Sequence, residues 1–182
     1  MPNSTTVQDV PRRFLDQARS FLTNDYLPKI ERCLEQFNDE QIWWRPNEQS
    51  NSIGNLLLHL CGNARQWIVS GLSGVSDARV RQAEFDQREV VSRSDLLHRL
   101  RETLGEVDRV LAEFETEKLL DMYSIQGTKV TALEAVFHVT EHFSMHTGQI
   151  ILLTKLLTAS DLHFYDFEGD APLQRWRSKP SG

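Results

Sequence analysis

The sequence predicts an all-α protein, a four-helix bundle with antiparallel or near-antiparallel packing. Three observations predict it. Apolar residues recur every three or four positions in four separate stretches of the 182-residue chain. Helix-start residues stand before the later three of them: Asn51-Ser52, Ser94 and Thr131-Ala-Leu-Glu134. The connections between them are short to medium in length, and the chain carries no internal repeat, low-complexity segment or domain linker.

Length and composition bound the rest. The chain suits one domain with a sizeable core. That domain is expected over residues 8–166, followed by a C-terminal tail over 167–182 that is partly packed or frayed. Apolar residues make up 40% and charged residues 25%, which is ordinary for a soluble globular protein. With 20 basic and 26 acidic residues the net charge is -6, so no basic face points to nucleic acid. No apolar run is long enough to span a bilayer. Residues 1–6 lack the basic-then-apolar pattern of a signal peptide, and the cytoplasm is the expected compartment. Cys33 and Cys61 each sit in apolar helical contexts and are expected as buried, reduced thiols.

The first helical stretch carries Phe14, Leu15, Ala18, Phe21 and Leu22, then Leu27, Ile30, Leu34 and Phe37. Pro28 interrupts it, so a kink or break is expected near residues 25–27. Residues up to about Val7 are expected to fray. Trp43-Trp44 then reads as a large apolar plug closing the core beneath a loop, both rings included; the alternative packs one under the bundle end and leaves the other to line a pocket. The second stretch has Ile53, Leu57, Leu60, Ala64, Trp67 and Ile68 on one side. Its other side carries Asn55, His59, Asn63 and Gln66. That polar side is either a solvent face or the lining of a cleft centred on His59, and periodicity does not separate the two.

Residues 71–92 are polar and mixed in charge, a connection with room for short helical turns that could border a functional cleft. In the third stretch Leu97, Leu100, Leu104, Val107, Leu111 and Phe114 form a bundle seam. His98 falls off the seam and reads as a surface histidine. Tyr123 to Val130 reads as a turn or small hairpin around Gly127. The fourth stretch follows the capping box at Thr131 and Glu134 and runs to about Leu157. Its apolar arc is wide, so it is expected to be the most buried helix, wet only along Glu134, Glu141 and Lys155. Beyond it, Leu162-His-Phe-Tyr-Asp-Phe167 is too aromatic for a free tail and is expected to pack back on the bundle, while residues 175–180 fray.

The chemistry concentrates in His138-Val-Thr-Glu-His142-Phe-Ser-Met-His146-Thr-Gly-Gln149. Residues four apart stack on one helix face, so the imidazoles of His142 and His146 can converge on one point. These histidines lie off the wet strip, and histidines on a buried side need partners. His59 is the best third ligand, which gives one divalent metal on His59, His142 and His146. His138 stands one turn before His142 on nearly the same face, where it could orient a ligand or move a proton. The competing reading is a core histidine bonded to a backbone carbonyl. Asn55, Asn63 and Gln149 are candidates for similar supporting or pocket-lining parts.

Four segments together resemble the DinB-like superfamily, which also contains the YfiT-like bacterial thiol S-transferases. They are Trp43-Trp44-Arg45-Pro46-Asn47, Asn51-Ser-Ile-Gly-Asn-Leu-Leu-Leu-His59-Leu60, Glu84-Phe85-Asp86, and His138-Val-x-x-His142-x-x-x-His146-x-Gly148-Gln149-Ile150. The likeness covers about Phe14 to Asp166, and its Trp-Trp and Asn-Ser-Ile-Gly-Asn elements look like an uncharacterised branch. It implies a four-helix bundle, often a homodimer, with a three-histidine metal site at His59, His142 and His146. Many members have a further histidine just before the Gly-Gln step, where this chain has Met145; that position is not a ligand.

Three imidazoles with an open position describe a catalytic metal site. The all-nitrogen set suits zinc, nickel, cobalt or ferrous iron, with zinc first. Three functions fit it. A metal-dependent enzyme could activate a low-molecular-weight thiol (bacillithiol, mycothiol or glutathione) for transfer to an electrophilic small-molecule substrate. A metal-dependent hydrolase could use metal-bound hydroxide. A non-enzymatic, metal-stabilised stress-response or binding protein is the third. A hydrolase wants a nearby general base; Glu141 falls on the wet strip, and spacing places no other carboxylate near the site. That favours the thiol reading.

Overall fold

The structure, a computed structural model, describes residues 9–176. Helix α1 (Asp9–Phe21) runs through a π-helical turn, Leu22–Tyr26, into α2 (Leu27–Leu34). The wider turn is the form that the expected break takes. Pro28 has no N–H to donate and its ring crowds the carbonyl four residues before it, so the winding loosens just ahead of it. A short α3 (Asp39–Ile42) follows, capped reciprocally by Asn38 and Gln41. Next comes Trp43, which lies flat on the second long helix and donates from Nε1 to the carbonyl of Val91 at 3.0 Å. Gly54 makes that contact possible, since a Cβ there would sit 2.7 Å from the indole. Trp43 is thus the plug; Trp44, expected to share that part, is exposed instead.

Helix α4 (Ile53–Ala64) starts at Ser52, which forms a capping box with Asn55. It continues through a second π-helical stretch, Arg65–Ser70, into one last turn, α5 (Gly71–Ser73). The following connection contains α6 (Arg81–Asp86), which lies against α4. Helix α7 (Arg93–Glu113) is capped by Ser92 rather than by Ser94, because the Ser92 hydroxyl reaches the Asp95 amide. Its core seam is accordingly Leu96, Leu100, Leu104, Val107 and Leu111, with Leu97 only half-buried. A 3₁₀ turn, Thr116–Lys118, leads to an antiparallel hairpin of β1 (Met122–Ile125) and β2 (Thr128–Thr131), turning at Gln126-Gly127.

Helix α8 (Ala132–Thr158) begins with the expected Thr131–Glu134 capping box. Its inner face, with Ala135, Val139, Phe143 and Ile150 fully buried, packs against α1, α2 and α4. Its outer face differs from expectation: Phe137, Met145, Leu152 and Leu156 are exposed. An apolar arc this wide exceeds what one bundle core can cover, so part of it stays on the surface.

A second hairpin, β3 (Tyr165–Glu168) with β4 (Ala171–Gln174), was not foreseen. It is tied to α2: Arg32 donates to the carbonyls of Leu162, His163 and Arg175, and the Lys29 ammonium lies 4.0 Å above the Trp176 ring. Leu162 and Trp176 are buried, whereas Tyr165 and Phe167 are exposed, so only part of the aromatic segment packs back. Arg175 and Trp176 do not follow the fraying expected over 175–180, since the Arg175 amide donates to the Phe164 carbonyl at 3.0 Å and Trp176 is buried; 177–180, like the residues up to Val7, lie outside the described residues. Among the described residues no helix is long and apolar enough to cross a membrane.

Candidate metal centre

The polar side of α4 faces inward. Asn55 is 0% exposed, His59 and Asn63 4% each, which makes this side a cleft lining rather than a wet face. Opposite, the four-residue spacing on α8 presents His138, His142 and His146 toward it. Ligand atoms of His59, His142 and His146 lie within 4.8 Å of one another. The rings stand edge to face, with centroids 4.9 Å apart for His59–His142, 5.2 Å for His59–His146 and 4.4 Å for His142–His146.

The outer nitrogens of two rings have acceptors. His59 Nδ1 is 2.9 Å from Glu84 Oε2, and His146 Nδ1 is 2.7 Å from Gln149 Oε1. A proton on each Nδ1 leaves each Nε2 with a lone pair facing inward. His146 Nε2 is buried without a partner. His59 Nε2 and His142 Nε2 are 2.9 Å apart, a separation that calls for one proton or one cation between two lone pairs. The donor set therefore suits a metal ion bound by nitrogen, and these three residues could hold one.

Electrostatics favour the neutral form of the three α8 histidines. Burial, then the neighbouring His146, His59 and His138 rings and Arg79, push His142 down to about 3. His138 and His146 are also lowered, chiefly by burial. Neutral imidazole is the form that ligates metal.

His138 stands beside the cluster. Its ring stacks on His142 at 5.3 Å and against Trp67 at 4.1 Å, and its Nε2 accepts from Asn63 Nδ2 at 3.1 Å. Asn55 lies away from the histidines: its amide donates to the carbonyls of Glu84 and Gln87, and its Oδ1 accepts from Arg45 and Ser52. His98 is exposed on α7. The cleft that opens onto the histidines is bordered by Asn51, Arg81, Gln82, Phe85 and Met145.

One expectation is overturned. A carboxylate does stand at the site: Glu84, brought by α6, with Arg79 clamped on it (Nε to Oε1 2.7 Å, Nη2 to Oε2 2.9 Å). Burial alone would raise the Glu84 carboxyl; hydrogen bonds from Arg79 and His59 more than offset that and hold it below the usual range. Sequence spacing could not find it, because the contact spans a loop. The available signal was Gly62, three residues after His59 on the polar side of α4, where a missing side chain marks a close approach.

A family model described as "Protein of unknown function (DUF1572)" matches residues 9–166. No functionally curated protein matches the chain. Among solved structures, a DinB-like protein, YjoA, from Bacillus subtilis is 18% identical, with a TM-score of 0.61 over 80% of this chain and 94% of its own. A conserved protein from Enterococcus faecalis is 16% identical, with a TM-score of 0.61 over 86% and 100%. A DinB-like protein from Bacillus cereus is 16% identical, with a TM-score of 0.60 over 79% and 90%. The helical bundle is thus of the DinB-like kind.

Proposed function

We propose, for a chain that belongs to the DUF1572 family of proteins of unknown function, that it holds one divalent metal ion on His59, His142 and His146 and activates a low-molecular-weight thiol for transfer to an electrophile. The observation that carries this reading is the convergence of three imidazoles, one with a buried, unpartnered Nε2, with the nearby Glu84 carboxylate on the outer, Nδ1 side of His59. His59, His142 and His146 would hold the cation, zinc first, and it would supply the Lewis acidity that lowers the pKa of a thiol.

The chain's own residues support the rest. His138 stacks beside the cluster, held by the Trp67 ring and by the Asn63 amide that donates to its Nε2. Asn51, Arg81 and Gln82 offer polar contacts at the mouth, and Phe85 and Met145 apolar ones, a mixed lining suited to a small polar thiol. Cys33 and Cys61 are both buried, and burial pushes their thiols up to about 11 and about 12, so the reacting thiol is an external one. Glu84 does not favour the hydrolase. It faces the Nδ1 side of His59, away from the point of convergence, and its charge is committed to Arg79. A reduced cytoplasm, where such thiols are abundant, is the compartment this reading entails. The exposed α8 face of Phe137, Leu152 and Leu156 supports a homodimer.

The test is turnover of the metal-loaded protein with bacillithiol, mycothiol or glutathione and a panel of electrophiles. Thiol-dependent consumption of an electrophile is expected. Ester or amide hydrolysis without thiol points to the hydrolase, and inertness in both assays with metal bound points to a binding protein.

A further inference from the structure

We propose that Glu84 is a positioning residue of the candidate metal centre, holding His59 with its Nε2 toward the cation, and that Gly62 is the gap through which Glu84 reaches it. This rests on the metal reading above. The proton of His59 has two possible seats, and ligation through Nε2 needs it on Nδ1. Two groups compete for that nitrogen. Glu84 Oε2, at 2.9 Å, accepts a proton from Nδ1. Arg79 Nη2, at 3.1 Å, can only donate to Nδ1, which would send the ring proton to Nε2. The carboxylate therefore sets the ligating form, and it also cancels the Arg79 charge beside the metal. Both side chains are nearly enclosed, Arg79 5% and Glu84 11% exposed, so neither effect is diluted by solvent.

The segment is held independently of this carboxylate. Asn55 Nδ2 donates to the backbone carbonyls of Glu84 and Gln87 at 2.8 and 3.1 Å, and Arg45 Nη2 donates to the latter at 3.0 Å. Changing the Glu84 side chain thus leaves α6 anchored. The close approach itself depends on Gly62. A Cβ there would overlap Glu84 Oε1 and lie 2.8 Å from the carboxyl carbon and 2.9 Å from Arg79 Nε. A methyl group at a residue that never touches the metal should displace the carboxylate from His59.

The experiment measures Co²⁺ binding to chelator-treated protein by visible absorption and by competition with a chelator, in wild type, Glu84→Gln and Gly62→Ala. Both variants are expected to keep the wild-type spectrum at saturation, since the three ligands remain, and to bind about 10–100-fold more weakly. Melting of the metal-free forms is followed in parallel. Lower melting temperatures with affinities within about twofold of wild type would mean a purely structural role and would overturn the assignment. Should Glu84→Gln not fold, Gly62→Ala decides by the same criterion. A wild-type protein that binds no Co²⁺ sinks the metal reading and this one with it; a wild type that binds, with both variants unchanged, sinks this one alone.

Discussion

Gln149 Oε1 accepts the Nδ1 proton of His146 at 2.7 Å, three residues along the same helix, and the Nε2 of that ring is buried with no partner. Acceptor, ring and orphaned lone pair form a line aimed at His59 and His142.

Gln149→Leu keeps the shape of the side chain and removes the acceptor. Metal affinity is expected to fall about tenfold or more, because the ring loses the partner that fixes its proton and its angle. Gln149→Glu should retain affinity near wild type. Chelator competition measures both, and equal affinity in all three proteins would contradict the role.

The histidine cluster also predicts an acid-sensitive fold. His142, His138 and His146 are all held below the ordinary histidine range. Once pH drops under about 6.5, the unfolded chain takes up protons that the folded chain refuses. Stability is therefore full above that pH and is lost progressively as pH falls toward about 3, the His142 value. Melting of chelator-treated protein should drop between about pH 7 and about pH 5, and His142→Gln should flatten that dependence. A melting temperature that rises on acidification would contradict it.

Both cysteines should be silent in the native protein. Cys33 and Cys61 are buried, with thiols raised to about 11 and about 12. A disulfide reagent at about pH 8 is expected to modify neither until denaturant is added, when both react. Fast labelling of the folded protein would show that the chain carries its own reactive thiol and would remove the need for an external one.

The exposed α8 face makes a prediction about assembly. Leu156→Glu, at a side chain 64% exposed, costs little folding energy but puts a charge on the apolar face near the C-terminal end of α8. If this face joins two copies, light scattering should show a dimer for wild type and a monomer for the variant. A monomeric wild type would contradict the homodimer.

Much of this molecule could be read from sequence because local rules governed it. The α8 start needed only Thr131 and Glu134, and the α7 seam only the spacing of its leucines. The Ser92 cap was missed for Ser94 since both serines satisfy the same local rule, and only the hydroxyl-to-Asp95 bond separates them. The inward turn of His142 and His146 followed from their distance from the wet strip. By contrast, the burial of Asn55 and His59 depends on α6 lying over them, and no periodicity within α4 could reveal that. The Glu84–His59 contact is a tertiary event across a polar connection; the Glu84-Phe85-Asp86 segment and the Gly62 gap marked the neighbourhood, but no spacing paired the two residues. The exposure of Phe137 and Leu152 reflects how much of a wide apolar arc this core can cover, a quantity set by the other helices.

Metal content of protein purified without a nickel column, by elemental analysis, bears most directly on the account. About one divalent ion per chain is predicted for wild type and for His98→Ala, with nearly none for His59→Ala or His142→Ala. Equal metal content in all four proteins would contradict it.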